Sequence, residues 1–126
     1  MQGINLPKIA LVILNWNGLN DTLECLESVK KIDYSNFEMI VVDNGSTDGS
    51  PAEIRKQFPN VIVLETGKNL GFAEGNNVGT RHAIAEGAEY ILLLNNDTIV
   101  DPQILKSFLM ATALYPDAGI FGAKIY

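Results

Sequence analysis

The sequence predicts an α/β domain, a mostly parallel sheet flanked by helices. Three observations carry that expectation. Short apolar runs of strand length at residues 8–14, 37–42, 61–64 and 90–94 alternate with stretches of helical periodicity, and such alternation implies parallel strands joined by right-handed crossovers. The runs are mostly continuously apolar, as in strands covered on both faces. Each leads into polar residues, at Asn15, Asp43, Asn69 and Asn95. In a parallel sheet these ends share one carboxyl edge, where open α/β sheets bind ligands.

The first strand, residues 8–14, runs into Asn15-Trp16-Asn17-Gly18. Leu19, Leu23, Leu26 and Val29 then recur at helical spacing over residues 19–32. Asp21 and Glu24 come early and Lys30 and Lys31 late, as the helix dipole prefers. The second strand, 37–42, empties into Asp43-Asn44-Gly45-Ser46-Thr47-Asp48-Gly49. Ser50-Pro51-Ala52-Glu53 reads as a capping box with proline at the first helical position, opening a short helix that stops before Pro59. A β-branched third strand, 61–64, leads through Gly67-Lys68-Asn69-Leu70-Gly71 to a helix reaching about Glu86. The fourth strand, 90–94, ends directly in Asn95-Asn96-Asp97-Thr98. Asp101 caps, Pro102 starts and Pro116 stops the next helix, and residues 118–126 fit a fifth strand.

With 126 residues, 47% of them hydrophobic, the chain suffices for one domain with its own core, and no linker or low-complexity segment divides it. A net charge of −6 disfavours nucleic acid and anionic membrane as partners. A phosphate ligand would need a cation, backbone donors or residues from outside the chain. Cys25 is the only cysteine, which excludes an internal disulfide and points to a reducing compartment. No run approaches the roughly 18 apolar residues of a membrane span, and no secretory pattern opens the chain, so a soluble, cytoplasmic protein is expected.

The strand ends hold the candidate chemistry. In Asp43-Asn44-Gly45-Ser46-Thr47-Asp48, turns closed by the side chains themselves explain much of the composition. Asp43, however, directly follows Val41-Val42 at the mouth of the sheet, where its carboxylate can accept from a ring N–H or a ribose hydroxyl; Asp48 fits a turn or helix end. Gly71, Gly75, Gly79, Ala83 and Gly87 form a stripe at i, i+4 spacing. An interior glycine costs a helix about 1 kcal/mol relative to alanine, so close packing is expected at Gly79 and Gly87. Gly71, beside Lys68 and Asn69, is a ligand candidate at a helix mouth. Neither a dinucleotide fingerprint nor a P-loop is present. The oxygen donors of Asn95-Asn96-Asp97 suit Mg²⁺ or Mn²⁺, with Asp97 recruiting the ion and Asn95 supporting the metal or a sugar. Trp16 either stacks on a ligand ring or covers the sheet edge. His82 reads as exposed and Cys25 as packing.

Val-Ile-Leu-Asn-Trp-Asn-Gly at 12–18, Val-Val-Asp-Asn-Gly-Ser-Thr-Asp-Gly at 41–49, Asn-Leu-Gly-Phe-Ala-Glu-Gly-Asn-Asn-Val-Gly at 69–79 and Leu-Leu-Leu-Asn-Asn-Asp-Thr at 92–98 resemble, in order and spacing, the family 2 glycosyltransferases. The resemblance extends to their rhamnosyltransferase-like bacterial branch, which assembles cell-surface polysaccharide. It implies a GT-A fold, Rossmann-like, binding a nucleotide-diphospho-sugar donor (UDP- or dTDP-linked), and inverting transfer to a glycan or lipid-linked acceptor with Mg²⁺ or Mn²⁺. By matching position, Asn15 and Trp16 border the base, Asp43 bonds the pyrimidine ring, and Lys68, Asn69 and Gly71 lie near the nucleotide and phosphates. Asn95-Asn96-Asp97 takes the place of the family's Asp-x-Asp motif, with Asp97 on the metal; Asn95 departs from that motif.

In this family the base that deprotonates the acceptor comes from a segment after the donor-binding half, and no Asp or Glu follows Asp117 here. The chain is therefore expected to be the N-terminal, donor-binding portion of a longer enzyme, nearly inactive alone. In the whole protein it would work in the cytoplasm or at the inner face of the membrane. Apolar surface that a C-terminal half would cover is an expected route to a homodimer. Three alternatives stand beside this reading. A complete, non-catalytic nucleotide-sugar-binding module would lack the base naturally. A nucleotidyltransferase would show a basic, glycine-rich loop after its first strand, and a phosphoacceptor domain an acidic pair there; Asn15-Trp16-Asn17-Gly18 provides neither.

Overall fold

The computed structural model describes residues 6–117 and Gly119; the expected fifth strand lies, but for Gly119, outside them. The chain runs β1 (Ile9–Asn15), α1 (Leu19–Val29), β2 (Phe37–Asp43), α2 (Ser50–Gln57), β3 (Ile62–Glu65), α3 (Phe72–Ala85), β4 (Tyr90–Leu94) and α4 (Ile104–Leu114). The strands form one sheet in the order β3-β2-β1-β4, all described pairs parallel. Strand β1 is interior, with Ala10, Leu11, Val12 and Ile13 wholly buried. Its continuous apolar run follows from having both faces covered.

One face carries Leu11, Ile13, Met39 and Val41, packed with Leu26 and Val29 of α1, Ile54 of α2 and Leu105 of α4. The other carries Ala10, Val12, Ile40 and Val42 against Ala83 of α3. The glycine stripe explains how α3 lies so close. A Cβ on Gly75 would stand 2.5 Å from Leu14 Cδ1, and one on Gly79 2.5 Å from Val12 Cγ1 and 2.9 Å from Val42 Cγ2. Among the described residues no helix is long and apolar enough to cross a membrane.

Three expectations are corrected. Gly87 packs against nothing within 4 Å; it takes a φ of +88° just past α3, where its N–H donates to Ile84 O and that of Ala88 to Ala83 O, both at 3.0 Å. This is a glycine helix terminator, chosen for its backbone freedom. The capping box at Ser50 does not form. Gly49 turns the chain at φ +79° so that Ser50 is already helical, its N–H and hydroxyl both donating to Asp48, while Glu53 accepts from Gln57 Nε2 at 2.6 Å. Helix α4 begins at Ile104, not Pro102: Asp101 closes a preceding turn, its side chain accepting from Gln103 N at 2.8 Å and its carbonyl from Ile104 N at 3.0 Å.

The order β3-β2-β1-β4 matters most for function. After β1 the chain moves outward to β2 and β3, then returns across the sheet to place β4 on the other side of β1. The strand order thus reverses at β1, with α1 and α4 packed on one face of the sheet and α3 on the other, and the carboxyl edge of such an open α/β sheet is its usual ligand site.

Candidate functional site

The loops after β1, β2 and β3 are stitched into one wall by side chains. Asn17, at φ +49°, donates its N–H to Ser46 Oγ at 2.9 Å and accepts on Oδ1 from Thr47 N at 2.7 Å. Asn44, almost fully buried, binds the third loop: Nδ2 donates to Asn69 Oδ1 at 3.2 Å and to Gly71 O at 3.1 Å, while Oδ1 accepts from Leu70 N at 3.2 Å. Gly45, at φ +82°, lets the loops touch, since a Cβ there would lie 2.7 Å from Lys68 Cα. At the centre, both Asp43 oxygens are engaged. Oδ1 accepts from Asn15 Nδ2 at 2.8 Å and Ser46 Oγ at 2.7 Å, and Oδ2 from Ser46 N at 2.9 Å. The turn after β4 joins from the far side, through Asn96 Nδ2 donating to Thr22 Oγ1 at 3.2 Å.

These groups form one polar wall along the carboxyl edge of the sheet. The family model described as glycosyl transferase family 2 matches residues 10–126. The chain belongs to glycosyl transferase family 2. Among curated relatives it is 35% identical over 103 residues to glycosyltransferase GlyG of Streptococcus pneumoniae, covering 79% of this chain and 33% of that protein. It is 32% identical over 95 residues to the N-acetylglucosaminyl-diphospho-decaprenol L-rhamnosyltransferase of Mycobacterium tuberculosis, covering 69% and 31%. This family 2 chain thus spans about a third of the length of those relatives.

The solved structures agree on the fold. A mannosyltransferase of Pyrobaculum calidifontis, in complex with GDP-Man and Mn²⁺, superposes with a TM-score of 0.76 at 24% identity, over 85% of this chain and 32% of that one. Staphylococcus aureus TarS in complex with UDP-GlcNAc superposes with 0.76 at 23% identity, over 94% and 37%. The fold is GT-A.

Within this family 2 domain the expected residues take distinct positions. Asn15 is wholly buried, its Oδ1 accepting from Thr22 Oγ1 at 2.6 Å and its Nδ2 held by Asp43 and Ser46. It stands inside the wall as a strut for Asp43, which is itself only 2% exposed. Trp16 keeps 54% of its surface exposed, so it does not seal the sheet edge. Lys68 and Asn69 are exposed on the third loop. The N–H of Gly71 is taken by Asn69 Oδ1 at 2.9 Å. Asn95 and Asp97 are exposed on the turn, with Asn96 partly buried between them.

Among the described residues no group of three or more His, Cys, Asp or Glu is placed to hold a metal ion. The donor set at Asp97, one carboxylate beside amide oxygens, suits a hard divalent cation that takes its remaining ligands from phosphate and water. Cys25 lies buried in α1, and burial first, with the nearby Asp97 charge second, pushes its thiol up to about 11. The thiol stays protonated at neutral pH and fills space. His82 is half-buried, 3.9 Å from Glu86 Oε1 one turn on, instead of fully exposed.

Sequence reading singled out neither Thr22 nor Asn44. Thr22 left one signal: it precedes Leu26 and Val29 at i, i+4, i+7 on the buried face of α1, where a hydroxyl needs a partner. Asn44 sits in an Asp-Asn-Gly run that reads equally well as an ordinary turn.

Asp48 ties two helix starts to the wall, accepting from Ser50 and, at 3.3 Å, from Leu19 N. The Ser50 hydroxyl foremost, with the backbone N–H groups, holds its carboxyl below the usual carboxylate range. The stability it contributes is therefore complete above the unfolded-chain value of about 3.9 and is lost as pH falls through the lower folded value. Asp48→Asn is expected to lower the melting temperature at pH 7 and to converge with the parent only at acid pH, once pH has fallen below the lowered folded value; thermal scans by circular dichroism across pH check this.

Proposed function

We propose that this chain is the donor-binding portion of a glycosyltransferase that moves a sugar, with inversion, from a UDP- or dTDP-linked donor to a glycan or lipid-linked acceptor. The observation that carries the reading is the arrangement about β1: Asp43 ends β2 on one side, and Asp97 follows β4 on the other. A nucleotide laid across the carboxyl end of β1 spans the two. At the first end the Asp43 carboxylate, held by Asn15 and Ser46, offers its remaining acceptor to a ring N–H. The exposed Trp16 indole offers an apolar face to the base.

At the other end Asp97, with Asn95 and Asn96, would hold Mg²⁺ or Mn²⁺ against the diphosphate, and Lys68 adds positive charge. A bound divalent cation supplies neutralisation of the charge that builds on the leaving diphosphate. The base that deprotonates the acceptor is not among the residues assigned to the donor site; the chain spans about a third of the length of the relatives above. The proposal includes a role in cell-envelope polysaccharide assembly at the cytoplasmic side of the membrane; the M. tuberculosis relative, whose name specifies a diphospho-decaprenol acceptor, supports the lipid-linked part of that reading.

Calorimetric titration with UDP and dTDP, each with and without Mn²⁺, tests the donor site. At least one nucleotide is expected to bind, and about tenfold more tightly with the metal, a difference of about 1.4 kcal/mol. Absence of binding, or affinity indifferent to Mn²⁺, would count against the reading.

A further inference from the structure

Thr22 belongs to none of the rim loops, yet its hydroxyl touches both sides of the site. Oγ1 donates to Asn15 Oδ1 at 2.6 Å and accepts from Asn96 Nδ2 at 3.2 Å, and Asn15 Nδ2 donates in turn to Asp43 Oδ1 at 2.8 Å. Asn96, Thr22 and Asn15 thus donate in one direction, toward the carboxylate. Charge on Asp43 polarises the series, and the bonds reinforce one another in a buried, low-dielectric setting.

The turn after β4 is also seated on α1 by shape. A Cβ on Gly18 would stand 2.5 Å from Asn96 Nδ2, so the helix start leaves a slot that the amide fills. A second tie follows, from Val100 N to Ser28 Oγ at 3.0 Å.

We propose that Thr22 is a positioning residue that fixes the Asn95–Asp97 turn and the Asp43 carboxylate relative to each other, so that the two ends of a bound nucleotide are gripped as one unit. The inference rests on the nucleotide-binding reading above. It explains why a hydroxyl occupies a wholly buried position on the apolar face of α1.

The test is the ratio of UDP affinities with and without Mn²⁺, measured for the parent chain, Thr22→Val, Thr22→Ser and Asn96→Ala. Valine keeps the shape and removes the relay; serine keeps the hydroxyl. A merely structural threonine would weaken both affinities together and leave their ratio alone. The ratio is expected to fall about fivefold in Thr22→Val and Asn96→Ala, a coupling of the size found within one hydrogen-bonded network, and to recover in Thr22→Ser. Asn96 is itself assigned to the metal end, so the decision rests on Thr22: an unchanged ratio in Thr22→Val would overturn the proposal, and, should the valine variant not fold, so would an unchanged ratio in Thr22→Ala.

Nitrogen-15 NMR of the ligand-free chains separates this from the fate of the nucleotide reading. Thr22→Val is expected to shift both the Asn96 side-chain amide and the Ser46 backbone N–H, which donates to Asp43 Oδ2. Movement of the Asn96 signal alone would sink the relay. No UDP binding by the parent chain would sink the nucleotide reading, and with it any role for Thr22 in positioning a nucleotide.

Discussion

Asp97→Ala is expected to abolish the Mn²⁺-dependent part of UDP binding while leaving the metal-free affinity within about twofold. The described residues hold no cluster of His, Cys, Asp or Glu that could take over the ion; Asp43 already accepts three internal hydrogen bonds, and Asp48 accepts from Leu19 and Ser50. Removing the one exposed carboxylate of the turn therefore removes the anchor for the cation. A loss of at least tenfold in the presence of Mn²⁺ corresponds to about 1.4 kcal/mol. Truncating one partner of a desolvated charge pair costs about 2–5 kcal/mol, so a larger loss is the expectation once the diphosphate is in place. Asp97 is exposed, and its replacement should barely move the melting temperature. Titration and a thermal scan of the same variant check both halves of the statement.

Gly79→Val should have the largest effect on the fold. The Cβ alone would meet Val12 Cγ1 at 2.5 Å and Val42 Cγ2 at 2.9 Å. Both neighbours are wholly buried β-branched residues on adjacent strands, with little rotamer freedom to yield. Helix α3 must then lift from the sheet, opening the core that Val12, Val42 and Ala83 share. Overpacking of this kind costs about 1–3 kcal/mol and occasionally more. At about 3 kcal/mol the melting temperature would drop by roughly 10–20 °C for a domain of this size, measurable by circular dichroism. Unchanged stability would mean that α3 does not rest on the strands so closely.

The strands were legible in the sequence because parallel strands covered on both faces need continuous apolar runs, and residues 9–14 and 39–42 supply them. The gathering of Asn15, Asp43 and Asn95 on one edge follows from the alternation alone. What the sequence left open was how each polar group spends its hydrogen bonds. Asn15 and Asp43 look alike as strand ends, but packing brings Thr22 to Asn15 and leaves that amide inside the wall. Ser50 matches the capping pattern, yet the left-handed Gly49 hands its role to Asp48. Such choices depend on backbone dihedrals a residue or two away and on partners distant in the chain, which no local pattern encodes.

The side-chain stitching of the first three loops bears on the thermodynamics of recognition. Asn17, Asn44, Ser46 and Asn69 already use their hydrogen bonds on neighbouring loops, so these segments have few rotamers or backbone states left to surrender when a ligand docks. The ordering penalty of about 0.5–1.5 kcal/mol for each immobilised side chain is met during folding of the domain. Binding energy gained along that wall can then appear as affinity, instead of being consumed in organising it.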